Sequence, residues 1–159
     1  MRGSLHARCC APRPRSRCAT RCKLVAQPVP YEILGGEPAL HRLIERFYDL
    51  MDSEPEYHGI RKLHPGDLAG SREKLFMFLS GWLGGPSLYT EKHGPPMLRA
   101  RHLPFAIGRA ERDAWLDCMR RALEDTQAGN AAFRAWLLSQ LFATADWMRN
   151  RPGDMPGQA

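Results

Sequence analysis

Between Glu37 and Met51 the apolar side chains fall at Leu40, Leu43, Ile44, Phe47 and Met51. Spacings of three and four put them on one face of a helix. Gly35-Gly36 precedes this helix and Asp52-Ser53-Glu54-Pro55 ends it. A short irregular stretch is expected from there to His64-Pro65. A second helix is expected after Asp67, a candidate cap, with Leu68, Leu75, Phe78, Leu79 and Trp82 directed inward and Gly84-Gly85-Pro86 as its stop. Residues 84–97 hold three glycines and three prolines and carry little helix signal, which marks a segment of functional interest. A brief turn at Leu98–His102 is cut short by Pro104. A third helix is expected from about Arg109 to Gln127, with Trp115, Cys118, Met119 and Ala122 on one face. A fourth runs from about Asn130 to Asn150, with Phe133, Trp136, Leu137, Leu141, Thr144 and Met148 inward. No internal repeat and no lasting strand alternation appear. The pattern predicts an all-α domain over residues 31–150, a flexible arm at 1–30 and a frayed Gly/Pro-rich tail at 151–159.

Charge sharpens that division. The 159 residues suffice for one domain with a proper core, and the net charge is +6. Of 23 basic residues, seven lie in residues 1–30 with no acidic one, leaving 16 against 17 acidic residues in the rest. The body is close to neutral, so nucleic acid is not an expected partner; an electrostatic grip on it would have to come from the arm alone. Cys9, Cys10, Cys18 and Cys22 also lie in the arm, but their spacing matches no usual zinc pattern. The arm is Arg-rich and free of acidic residues, which suits either an organelle transit segment or an extension from a misassigned start codon. No apolar run is long enough for a secretory signal or a membrane span. The single body cysteine, Cys118, fits a reducing cytoplasm and a small core residue.

Three polar groups lie on or beside core-facing surfaces: the imidazole of His102, the phenol of Tyr48 and the indole of Trp115. Each alone has an ordinary explanation. A histidine at a helix end interacts favourably with the helix dipole, and a core Tyr or Trp buries its ring and bonds a nearby carbonyl. Together they suit a flat apolar cofactor with anionic edges. Haem needs a neutral imidazole for its iron, apolar walls for its ring and cations for its carboxylates. His102 supplies the first, Leu75, Phe78, Leu79, Leu103 and Phe105 the second, and Arg101 and Lys74 the third. Tyr48 and Trp115 are donors available to a small gas molecule.

Several stretches carry a family likeness. They are Gly35-Gly36, Arg46-Phe47-Tyr48, Leu68-Ala69-Gly70, Met77-Phe78-Leu79 and Trp82-Leu83-Gly84-Gly85-Pro86. Arg99-x-Arg101-His102-x-Pro104-Phe105 and Glu111-Arg112-Asp113-Ala114-Trp115-Leu116 complete the set and are the most specific. In these the chain resembles the truncated haemoglobins of group II (O-type), from Tyr31 to about Asn150. The resemblance implies a truncated globin fold, a two-over-two helical sandwich around haem b. It implies His102 as proximal iron ligand, Tyr48 and Trp115 as distal donors, and Lys74 and Arg101 near the propionates. Trp82 and Tyr89 fall where that family lines the haem edge, Ser71 at the distal gate and Leu75 over the iron. His64 stands where the family often has tyrosine or phenylalanine and sometimes histidine; a neutral ring there is expected to accept from Tyr48 or donate to a bound ligand. The arm lies outside the likeness.

The same resemblance implies an oxygen-binding protein of high affinity and slow release, open also to nitric oxide and carbon monoxide. Such a protein suits scavenging, sensing or redox chemistry better than bulk oxygen transport. The enzymatic alternative is nitric oxide dioxygenation or peroxide turnover with an external reductase, since no G-x-G-x-x-G fingerprint is present. A monomer or homodimer is expected, with no membrane partner.

Overall fold

The computed structural model describes residues 27–152, and the expectations for residues 1–26 and 153–159 lie outside them. The described residues are helical: α1 (Pro30–Leu34), α2 (Gly36–Ser53), a 3-10 turn (Pro55–Tyr57), α3 (His58–Arg61), α4 (Ala69–Trp82), α5 (Leu88–His93), α6 (Leu98–His102), α7 (Arg109–Thr126) and α8 (Ala131–Trp147). The helix α2 packs on both α4 and α7, and α7 packs on α8. Two pairs of helices, α2 with α4 and α7 with α8, thus join through α2 and α7. Among the described residues no helix is long and apolar enough to cross a membrane.

The stripe read from the sequence is the heart of this arrangement. Leu40, Leu43, Ile44, Phe47 and Met51 are all buried, with Met119, Leu123, Leu137 and Leu141 among the side chains of the same core. Burial of each such residue stabilises the fold by roughly 1.5–3 kcal/mol. Cys118 is part of this core; its Sγ donates to the Phe47 carbonyl at 3.3 Å, and burial pushes the thiol up to about 12. Ion pairs tie the helices at the surface, with Arg72 reaching Glu45 and Asp49 and Arg46 reaching Asp125. Being exposed, each adds at most about 1 kcal/mol.

Local signals explain the ends. Asn130 caps α8, its side chain accepting from the Phe133 N–H at 2.8 Å. Asp67 accepts from the Ala69 N–H at 2.9 Å, although Leu68 holds the capping position itself. One residue, Gly35, ends α1 and starts α2; its φ of 110° lies where a side chain is strained.

Four expectations need correction. Residues 84–97 contain a helix, α5, too short for periodicity to reveal; buried Tyr89 and a Lys92–Glu73 ion pair dock it on α4. The stretch before His64 is likewise ordered as the 3-10 turn and α3, each anchored by one buried side chain, Tyr57 and Ile60. Trp136 and Trp82 are not inward. Trp136 is one position off the Phe133–Leu137–Leu141 ladder and lies beside Phe133, and Trp82 stands at the open end of α4. The fourth helix ends at Trp147, so Asn150 lies beyond it.

Candidate functional site

Of the residues expected at the distal side, Tyr48 and His64 lie ring to ring, the Tyr48 hydroxyl reaches the backbone of Ser71, and Trp115 lies against Phe47. The face of α2 that buries Phe47 also buries Tyr48, whose ring stands edge-on to Phe47 at 5.0 Å between centroids. The Phe47 ring also lies 5.2 Å from the Trp115 ring of α7. His64, between α3 and α4, lies 5.8 Å from the Tyr48 ring. The Tyr48 hydroxyl donates to the backbone carbonyl of Ser71 at 3.3 Å, well beyond the usual 2.7–2.8 Å of an O–H···O bond. Burial holds the phenol far above its ordinary value, partly offset by the Arg72 guanidinium 5.6 Å from the ring centroid. Tyr48 is therefore a lightly engaged donor at any ordinary pH.

Trp115 is half-buried, and its indole N–H has no hydrogen-bond partner among the described residues. No fully buried polar side-chain atom there lacks a partner, so this N–H opens on reachable space and not on packed core.

His64 is fixed by the backbone. Its Nδ1 lies 2.9 Å from the Ile60 carbonyl, which can only accept, so Nδ1 carries the hydrogen. Burial lowers the pKa of the ring, opposed by that carbonyl and reinforced by the Arg61 guanidinium. The neutral ring therefore presents a bare Nε2. In that form Nε2 fills the accepting one of the two expected roles. Arg61 pins the loop around it, donating to the carbonyls of Pro65 and Gly66 at 2.8 and 2.9 Å.

His102, the last residue of α6, is half-buried, with Nδ1 2.7 Å from the carbonyl of Leu98 one turn earlier. The same reasoning puts the hydrogen on Nδ1 and leaves the lone pair on Nε2, the form a metal ligand requires. Beside α6 an open cleft of about 680 Å³ is bounded by Phe78 and Trp82 of α4, Met97 and Leu98, and Trp147 and Met148 at the end of α8. A smaller cavity of about 190 Å³ shares Phe78 and Trp82 and reaches Tyr89. Trp82, Met97 and Trp147 are each more than a third exposed, an apolar lining that lacks a cover. Arg101 lies near the same place, donating to the Pro96 carbonyl at 3.0 Å with its guanidinium 6.0 Å from the Tyr89 ring centroid.

The other expected residues are more scattered. Lys74 is exposed, Leu75 is half-buried against the core, and Leu79 is buried within it. Phe105 and Leu103 are exposed beyond α6. Met97 and the far end of α8 were absent from the expected set. A non-glycine φ of 44° at Met97 sets the entry to α6, and no sequence signal marks it beyond the preceding Gly94-Pro95-Pro96.

These residues fit the group that the likeness implies. The donor is one neutral imidazole, and the described residues contain no cluster of three His, Cys, Asp or Glu that could enclose a bare metal ion. The cleft volume lies within the range of small-molecule and cofactor sites, although its lining reaches Leu98 to Ala100 of α6 and includes neither His102 nor Tyr48 and Trp115.

Comparison with known proteins points the same way. Residues 30–150 match the family model described as bacterial-like globin. A group 2 truncated hemoglobin of Bacillus subtilis (strain 168) is 43% identical over 122 residues, covering 77% of this chain and 89% of that protein. The group II 2-on-2 hemoglobin from Agrobacterium tumefaciens has a TM-score of 0.76 at 45% identity, over 80% of this chain and 98% of that one. A structure described as a truncated oxygen-avid haemoglobin from Bacillus subtilis has a TM-score of 0.70 at 42% identity, over 77% and 100% of the two chains.

Proposed function

This chain belongs to the bacterial-like globins, among the group 2 truncated haemoglobins with their two-over-two helical fold, and from that premise we propose that it holds haem b on His102 and takes up oxygen with high affinity and slow release. The observation that carries this reading is the fixed His102 ring, whose Nδ1 is committed to Leu98 and whose Nε2 is free. Haem, when bound, supplies an iron with one coordination position left for a diatomic ligand.

The chain's own residues supply the rest. Phe78 and Trp82 offer apolar surface to the porphyrin, with Tyr89 at its edge, and Arg101 and Lys74 offer charge to its carboxylates. Tyr48 gives up a long bond to Ser71 at small cost when a better acceptor enters. The indole N–H of Trp115 has no bond to give up among the described residues. Hydrogen bonds to a charged or strongly polarised acceptor contribute about 1.5–3 kcal/mol each. Two such bonds slow release by roughly two to four powers of ten, at about 1.4 kcal/mol per decade. That rate suits scavenging, sensing or redox chemistry, in keeping with the oxygen-avid description of the Bacillus subtilis relative.

The test is a visible absorption spectrum of the purified protein after addition of haemin, repeated on His102→Ala. A Soret band and oxygen-dependent changes are expected in the wild type and a disrupted spectrum in the variant. A protein that stays colourless, or a variant with an unchanged spectrum, overturns the reading.

A further inference from the structure

The imidazole assigned to iron stands on the least packed helix of the fold. The five residues of α6 include none that is buried, and Leu103 and Phe105 just beyond it are exposed. Within the chain itself, few apolar contacts fix where His102 stands. The segment is held instead by hydrogen bonds to the chain just past α8. Asn150 uses its whole side-chain amide. Nδ2 donates to the carbonyl of His102 at 3.1 Å and to that of Phe105 at 2.8 Å, while Oδ1 accepts from the Ile107 N–H at 3.0 Å. The backbone N–H of Asn150 adds a bond to the Ile107 carbonyl at 2.9 Å. A second clasp comes from Arg99, whose Nη1 donates to the carbonyl of Trp147 and, at 3.4 Å, to that of Arg149.

We propose that Asn150 is a positioning residue for His102, fixing the backbone from which the imidazole projects by bonding three points of the loop from His102 to Ile107. Asparagine suits the task because it carries two donors and an acceptor on a one-carbon stem. Aspartate keeps the size and the acceptor but has no donor for the two carbonyls. Glutamine carries the same groups one methylene further out. Outer groups that orient a metal ligand commonly alter metal affinity 10- to 100-fold when removed. The proposal rests on His102 as the iron ligand, whereas the clasp is a property of the chain with or without haem.

The experiment compares full-length wild type, Asn150→Asp and Asn150→Ala by two readouts. Backbone amide exchange is measured on each protein as purified, whatever its haem content. For the haemin-loaded proteins, haem release and the iron–imidazole stretching band are measured. In both variants exchange at residues 102–107 is expected to accelerate at least tenfold while α7 and α8 keep their protection, haem release to quicken about tenfold, and the stretching band to shift. Exchange that rises uniformly across the protein would make Asn150 a general stabiliser only and overturn the proposal. A faster loop with unchanged haem release and stretching band would overturn it too, because the clasp would then not direct the ring. Should Asn150→Ala fail to fold, Asn150→Asp carries the comparison, since it retains the contact to Ile107. A wild type that takes up no haem sinks His102 as ligand, and with it the positioning role, while the exchange data still decide the clasp.

Discussion

The phenol ring of Tyr48 stands edge-on to the imidazole of His64, with 80° between the planes and 5.8 Å between centroids. Both rings are uncharged, Tyr48 because burial holds its proton and His64 because burial disfavours gaining one. The pair thus keeps one donor and one acceptor, Nε2, side by side at the edge of the core. The nearby charges are Arg72 beside the phenol and Arg61 acting on the imidazole.

The neutrality of His64 has a pH signature. Its folded pKa is lowered, so as pH falls the unfolded chain takes up the proton first. Stability from the neutral ring is complete above the ordinary histidine value of about 6.5 and falls as pH drops through it towards the lower folded value. Urea unfolding of wild type and His64→Gln, followed from about pH 7.5 to 5, should show a steeper decline in the wild type. Equal slopes would mean that the ring is solvated in the folded protein.

Ligand release should report on the two donors separately. Removing the hydroxyl in Tyr48→Phe or the indole N–H in Trp115→Phe is expected to speed oxygen dissociation by roughly one to two powers of ten each. Stopped-flow displacement of oxygen from haem-loaded protein measures this directly. The Trp115 variant should change the rate without a compensating contact, because that N–H has no other partner among the described residues. Off-rates unaltered in both variants, and in the double variant, would remove them from the distal site.

Residues that repeat along a face were legible from the chain alone. The α2 stripe at Leu40, Leu43, Ile44, Phe47 and Met51 was readable because burial and helical period select the same positions. His102, Tyr48 and Trp115 stood out as polar tips beside greasy faces. The rest was hidden for physical reasons. Six residues of α5 span under two turns, so Tyr89 had no periodic neighbours to betray it. Trp136 was misplaced because a 100° step separates it from Leu137, and an aromatic residue reads as core wherever it falls. The clasp by Asn150 joins residues 43 to 48 apart in the chain, a relationship that no local pattern encodes.

The Gly-Gly-Pro after α4 makes a specific structural demand. A Cβ on Gly85 would lie 2.7–2.9 Å from three atoms of the Tyr31 ring, and the Tyr31 N–H donates to the Leu83 carbonyl at 2.9 Å. This is where α1 docks on the end of α4. Gly85→Ala is expected to cost about 1–3 kcal/mol by overpacking. Adding Tyr31→Ala should recover part of that loss, giving a positive coupling in a double-mutant cycle by urea unfolding. Strict additivity would show that the ring does not constrain Gly85.

A side-chain hydrogen bond clamps the 3-10 turn to α7. Tyr57 is 1% exposed, and its hydroxyl donates to Asp117 Oδ2 at 2.7 Å, two residues beyond Trp115 on α7. That bond is the foremost cause of the lowered Asp117 pKa, with Arg120 second, and burial together with Asp117 pushes the phenol up to about 12. Tyr57→Phe removes the bond without stranding the carboxylate, because Arg120 Nη2 still reaches Asp117 Oδ1 at 2.7 Å. The expected loss is therefore modest, about 1–2 kcal/mol near neutral pH and roughly 2–8 °C in Tm. Its sign with pH comes from the lowered carboxyl. The hydroxyl favours the ionised form, so the stability gap between wild type and variant is full above the ordinary aspartate value of about 3.9 and closes as pH falls through the lower folded value. Urea unfolding at neutral and acid pH reads both quantities, and a gap that stays constant into acid would mean that Tyr57 acts through packing of its ring and not through Asp117.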